Sequence, residues 1–266
     1  MRVARKVPHS RYPHKIEQSY ARTIKTFISK WQNYVTYFCQ RHIYGLIDTK
    51  LLVLDATDDD QEKMTQAQMT QLNNQLDMLL LEMQNVTPKY VINGATTKYM
   101  TAVNSFSYSN VKLQTAIVGL NPIKTDQALA NYVQAKIAEN TSLITSMQSR
   151  YAESIREDIY HAMTTGAGQK DVADAIVKRT GMAQRHANLI ANDQTGSIIS
   201  NMNSYRQTKA GAKTYIWQSM EDDRVRPEHQ ELDGSEFRYN DPDGGDGGQL
   251  PGEPINCRCM ADPQFE

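Results

Sequence analysis

Three strong metal ligands fall close together near the C-terminus: His229, Cys257 and Cys259. Zinc takes nitrogen and sulfur ligands in a tetrahedral arrangement, with zinc to sulfur at about 2.3 Å. Asp233 follows His229 by four residues, a spacing that puts both on one face of a helix, and Asp223 precedes them. Either carboxylate supplies a fourth ligand. A short segment rich in loops and poor in large apolar residues gains most from such a staple, because metal binding adds directly to its folding free energy. The same residues also admit a plainer reading. The cysteines then pack as small hydrophobes, while His229 and the acids hold the loop through Arg224, Arg226 and Arg258.

Catalytic patterns are missing around these residues. Glu228-His229 does not extend to His-Glu-x-x-His, and neither a Gly-x-Ser-x-Gly elbow nor a phosphate-binding loop occurs. The chain therefore reads as a protein that is not an enzyme. The competing class is a metal-dependent hydrolase or nuclease acting on DNA, which needs an open metal position with a base beside it. The aspartates of Asp241-Pro242-Asp243-Gly244-Gly245-Asp246 do not suit calcium. Counted from Asp241, the fifth position of an EF-hand loop is Gly245, the sixth Asp246 and the twelfth Gly252. A solvated loop is expected there.

Charge is unevenly spread. Residues 1–50 hold ten Lys or Arg against Glu17 and Asp48, whereas residues 217–266 hold four Arg against thirteen acids. Such polarity speaks to partners, not to fold. Arg2, Arg5, Lys6, Arg11 and Lys15 form an acid-free arm that two prolines, Pro8 and Pro13, keep from being helical. The arm either tracks DNA phosphates without sequence preference or is a solvated tail. A host-encoded nucleic-acid binding module would draw on this arm alone.

These residues need elements to position them, and at 266 residues the chain can bury a core and form two folding units. Ile16, Tyr20, Ile24, Phe27, Trp31, Val35 and Phe38 recur in steps of three and four, the pattern of an amphipathic helix. Asp58-Asp59-Asp60 caps a second helix carrying Met64, Leu72, Leu76, Leu79 and Met83, which Thr87-Pro88 stops. Residues 89–124 are polar and broken by Gly94 and Asn121-Pro122, and read as short helices and loops. A third long helix runs from after Thr125 to Gly166, with a break expected near Asn140-Thr141. Helices over Asp171–Arg179 and Ala183–Lys209 end at Gly181 and Gly211. Lys213–Met220 then reads as a strand around Tyr215 and Trp217, with Phe237–Tyr239 as its partner. The fold class is mainly α: long amphipathic helices with a small α+β C-terminal unit, metal-stapled if zinc binds. The expected division is 1–125, a helical region with the basic arm, and 126–266. The apolar helix faces of the first region exceed what residues 89–124 can cover, so Phe27 and Trp31 are expected to reach a partner protein.

No stretch reads as a membrane span. Leu51–Leu54 and Met78–Leu81 fall far short of the roughly 20 residues required, and no apolar signal region follows the basic N-terminus. Three cysteines do not build a secreted disulfide framework, and a Cys-x-Cys bridge would be strained, which favours a reducing cytoplasm.

Taken in order, Trp217, Asp223-Arg224-Val225-Arg226, His229, Asp233-Gly234, Pro251-Gly252 and Asn256-Cys257-Arg258-Cys259 resemble the signature of the Mu F-type phage head morphogenesis proteins. Asn188-Leu189-Ile190-Ala191-Asn192-Asp193-Gln194-Thr195 is similar to that family's Ile-Ala-Arg-Asp-Gln segment, with Asn192 where the family has Arg. The likeness covers about 140–263, nearly half the chain, and a dozen ordered matches are far more specific than one short motif. It implies a minor head protein of a tailed phage or prophage, assembled with the portal and with the major capsid or scaffolding protein. It further implies a place in the capsid interior near the portal vertex, after assembly in the host cytoplasm, with the arm near packaged DNA.

Overall fold

The computed structural model describes residues 7–47, 66–165 and 167–265. The expected cap at Asp58-Asp59-Asp60, Met64 of the second helix, and Arg2, Arg5 and Lys6 of the arm lie outside them. Helix α1 spans His14–Phe38. Pro13 stands just before it, where its carbonyl accepts from Ile16 and Glu17 at 2.9 and 3.1 Å and its missing N–H costs nothing. Lys15 is thus helical, not part of an extended arm. A π-helical turn, Cys39–Ile43, leads into α2, Tyr44–Ile47.

Helix α3 covers Gln66–Val86 and buries Leu72, Leu76, Leu79 and Met83, the predicted stripe. The next segment departs from expectation. Helix α4 runs unbroken over Lys89–Thr115, through Gly94. Its polar residues face inward: Ser107, Asn110, Gln114 and Thr115 are all buried. Periodicity of apolar residues misses such a helix because its inner face makes hydrogen bonds instead. A short 3₁₀ turn, Ala116–Val118, closes it at Gly119, whose φ of +75° suits glycine.

Helix α5, Gln127–Thr165, does not break at Asn140. That side chain donates to the Lys136 carbonyl and to Gln194 Oε1, both at 2.9 Å, and accepts from the Tyr20 hydroxyl at 2.9 Å. Helix α6 is one element over Gln169–Lys209, with Gly181 inside it and not at an end. Gly211, at φ +100°, is the residue that lets the chain turn out. The remaining elements are β1 (Thr214–Gln218), α7 (Pro227–Leu232), β2 (Glu236–Arg238) and β3 (Met260–Gln264).

They form one antiparallel sheet in the order β2-β1-β3, pairing Tyr215 with Phe237 on one side and with Pro263 on the other. Strand β3 is absent from the sequence reading because it carries a proline. An edge strand tolerates one. Tyr215 and Trp217 alternate inward and build a small core with Cys257, Cys259 and Ala261, flanked by Leu232, Phe237, Tyr239 and Leu250.

Two compact units result. The first joins the described residues up to Ala21 with Ala95–Asn140 and Asn188 onward; the second comprises Arg22–Gly94 and Thr141–Ala187. They are not the sequence regions 1–125 and 126–266, because α1, α4, α5 and α6 each contribute residues to both units. In the second, Trp31 is wholly buried; its indole donates to Thr87 Oγ1 at 3.0 Å and its ring lies 6.1 Å from Tyr151. Phe27 is buried too. The partner role expected of Phe27 and Trp31 is therefore corrected: these side chains form the core of their own unit, since α3 and the later part of α5 supply the apolar cover that 89–124 lacks. Arg179 and Asp158 add a two-pronged ion pair at 2.7 Å in each arm.

The first unit has a polar interior. Tyr20 stacks on Tyr99 with centroids 3.8 Å apart, and Tyr99 hydrogen-bonds Thr195. The buried Arg206 guanidinium donates to Ser107, Asn104 and the Ile123 carbonyl at 2.6, 2.5 and 3.1 Å. Burial among neutral acceptors lowers its pKa to about 10, with Asp126 opposing. Among the described residues no helix is long and apolar enough to cross a membrane.

Candidate metal centre

The one-turn helix α7 starts at Pro227, a residue suited to the first helical position, and turns His229 inward against the Trp217 ring, 5.2 Å away. Cys257 and Cys259 lie just before β3. Alternation along this extended stretch puts both sulfurs on the inner side while Arg258 reaches Asp222, bonding its two carboxylate oxygens at 2.9 and 2.7 Å. Asn256, at φ +59°, makes the turn that brings the stretch in, and its N–H donates to Asp193 of α6 at 3.2 Å.

His229, Cys257 and Cys259 thus come together, all three buried, with one ligand atom from each lying within 4.8 Å of the others. His229 Nδ1 lies 3.4 Å from Cys257 Sγ and 3.7 Å from Cys259 Sγ. The opposite ring nitrogen, Nε2, meets Asp246 Oδ2 at 3.1 Å. A proton on Nε2, donated to this carboxylate, leaves the Nδ1 lone pair facing both sulfurs.

Donors converge on the sulfurs as well. The neighbouring Cys259 thiol, with the N–H groups of Cys259 and Gly252 and with His229 beside it, draws the Cys257 thiol down despite its burial. Facing Cys257, and buried itself, Cys259 is pushed up. The Trp217 indole N–H is buried without an oxygen or nitrogen acceptor and faces the Cys259 sulfur.

Neither predicted fourth ligand joins this group. Asp223 is exposed, and its neighbour Asp222 makes the pair with Arg258. Asp233 does not share a helix face with His229, because α7 ends at Leu232; its Oδ1 instead accepts from the Ser219 N–H at 2.6 Å, tying the end of α7 to the end of β1. Asp246, which the sequence reading left in a solvated loop, is the acid at the centre. The isolated bridge between Asp246 and Gln249 folds that loop back on itself. No spacing rule points to it, because a 17-residue span separates it from His229.

Helix α6 is the floor of the site. A Cβ on Gly196 would stand 2.4 Å from the Cys257 carbonyl oxygen and 3.0 Å from that of Gly252, so helix and loop meet backbone to backbone. The Asp193-Gln194-Thr195-Gly196 run is where α6 receives the cysteine loop.

The same stretch is what similarity to known proteins picks out. Residues 153–262 match the family described as Phage Mu protein F like protein. This segment belongs to the Mu F-type head morphogenesis family. It takes in His229, both cysteines and all of the sheet but its last residues. A Haemophilus influenzae protein described as "Uncharacterized protein" is 32% identical over 158 residues, 59% of this chain and 35% of that protein. The chain therefore spans about a third of the length of that relative. No solved structure matches the chain.

Of the predicted arm, Arg11 and Lys15 are described and exposed. The stretch between them and Pro8 is not free. Ser10 is buried, its N–H donating to Asp262 Oδ1 at 2.5 Å and its hydroxyl to the Ala261 carbonyl at 2.6 Å, while the Tyr12 hydroxyl reaches the Asn192 carbonyl. Residues 9–12 are docked against β3 and α6.

Proposed function

We propose that this protein is a minor head protein of a tailed phage or prophage that binds portal and capsid subunits from the capsid interior during head assembly and DNA packaging. The observation that carries the reading is the family assignment of residues 153–262. The mode of action is binding. With Phe27 and Trp31 inside their own unit, the contact falls to exposed apolar side chains, and Tyr37, Met78, Leu81 and Tyr90 of the second unit are 42–77% exposed. Arg11 in the docked stretch and Lys15 on α1 are exposed and available to packaged DNA, where phosphate contacts confer no sequence preference.

Co-expression of the tagged chain with the portal and major capsid proteins of the same phage tests this. A complex should survive size-exclusion chromatography, and Leu81→Glu with Tyr90→Glu should weaken it without unfolding the chain. Purification of the intact chain free of both proteins would overturn the reading.

A further inference from the structure

We propose that His229 Nδ1, Cys257 Sγ and Cys259 Sγ are three ligands of one zinc ion, with Asp246 and Trp217 as the groups that orient them. Both nitrogen-to-sulfur distances fit the ion, while the three ligand atoms together lie within 4.8 Å of one another. With zinc to sulfur near 2.3 Å and zinc to nitrogen at 2.0–2.1 Å, tetrahedral angles place a ligand nitrogen about 3.6 Å from each ligand sulfur. The observed separations, 3.4 and 3.7 Å, lie on either side of that value. A hydrogen-bonded cluster explains them less well. One nitrogen lone pair can accept a proton from only one thiol, yet Nδ1 sits at comparable distance from two.

The surroundings are those of a built site. Asp246 on Nε2 makes the carboxylate–histidine–metal relay that fixes the ring and raises its basicity. The Trp217 N–H, without any oxygen or nitrogen acceptor, gains a natural one in a metal-bound thiolate. The Cys259 N–H lies 3.4 Å from Cys257 Sγ and serves the other sulfur. Two thiolates and a neutral imidazole around a divalent cation carry no net charge, which suits a buried position.

Among the described residues no fourth His, Cys, Asp or Glu belongs to the group, so the fourth position falls to water. The ion joins α7 to the start of β3 in a segment whose apolar core is small. This inference draws on the site geometry alone and stands independently of portal binding.

Full-length protein purified without chelator, with zinc supplied in the medium, should contain one zinc per chain by elemental analysis and native mass spectrometry. Cobalt substitution should give thiolate-to-metal charge-transfer bands and the intense ligand-field bands of a tetrahedral ion. Azide should shift the latter by displacing water. Cys259→Ser should remove the charge-transfer intensity of one thiolate. Because that variant can lose its fold, Asp246→Asn provides a gentler probe and should weaken zinc binding by about 10–100-fold in competition with a chromophoric chelator. Metal-free protein whose melting ignores both zinc and chelator would overturn the site. Wild-type affinity in Asp246→Asn would overturn the orienting role, and cobalt bands indifferent to azide would overturn the three-ligand set.

Discussion

Replacing Gly196 by alanine tests the contact between α6 and the cysteine loop, because the sign of the effect is opposite to that expected of a helix. Inside an ordinary exposed helix, alanine in place of glycine stabilises by about 0.8–1 kcal/mol. At Gly196 the new Cβ would lie 2.4 Å from the Cys257 carbonyl and 3.0 Å from that of Gly252. Both obstacles are main chain. Nor can Gly252 easily yield, since it holds φ at +95° and its own Cβ direction meets the Gly196 carbonyl at 2.9 Å. Overpacking typically costs about 1–3 kcal/mol, and an immovable obstacle belongs at or beyond the upper end. Set against the helix gain, the net loss is about 2 kcal/mol. Urea unfolding followed by circular dichroism and by the fluorescence of Trp217, which lies in the affected unit, should show it. The control is Gly94→Ala in α4, where a Cβ meets nothing within 4 Å and the ordinary gain should appear. Should Gly196→Ala match or exceed the wild type, helix and loop do not touch as described, and the platform for Cys257 and Cys259 would have to be redrawn.

Two further outcomes follow from titratable groups away from this loop. The Tyr205 hydroxyl and the Leu129 N–H at 2.8 Å both donate to Asp126 and hold its carboxyl below the ordinary range, so its contribution is complete above about pH 4 and lost as pH falls through the lowered value. Asp126→Asn should accordingly melt below wild type at pH 6, with the gap narrowing as pH falls below about 4; a gap that does not shrink in acid would refute the assignment. Burial pushes the Cys39 thiol up to about 12, leaving it protonated and shielded, so native protein at pH 8 should resist alkylation there while urea-unfolded protein reacts at all three cysteines, as peptide mass spectrometry would reveal.

Much of this protein is written in local pattern. The stripe of Ile24, Phe27, Trp31 and Val35 declares α1, and Leu72, Leu76, Leu79 and Met83 declare α3, because side chains three or four residues apart must share a helix face whatever they pack against. Residue chemistry likewise singles out His229, Cys257 and Cys259, since few other side chains bind a soft divalent cation. Local pattern fails where the partner is distant. Helix α4 looks like loop until Ser107 and Asn104 are seen holding Arg206, and Asn140 looks like a break until Tyr20 and Gln194 engage it. The choice of Asp246 over Asp223 and Asp233 is of the same kind. Three aspartates near one histidine in sequence are chemically equal, and only the path of the folded chain decides. Closing α7 at Leu232 turns Asp233 away to the end of β1, and the bend of the glycine-rich loop brings Asp246 to His229 Nε2. Spacing limits which residues can meet through a helix or strand, but a contact across an irregular loop is settled by the packing on either side of it.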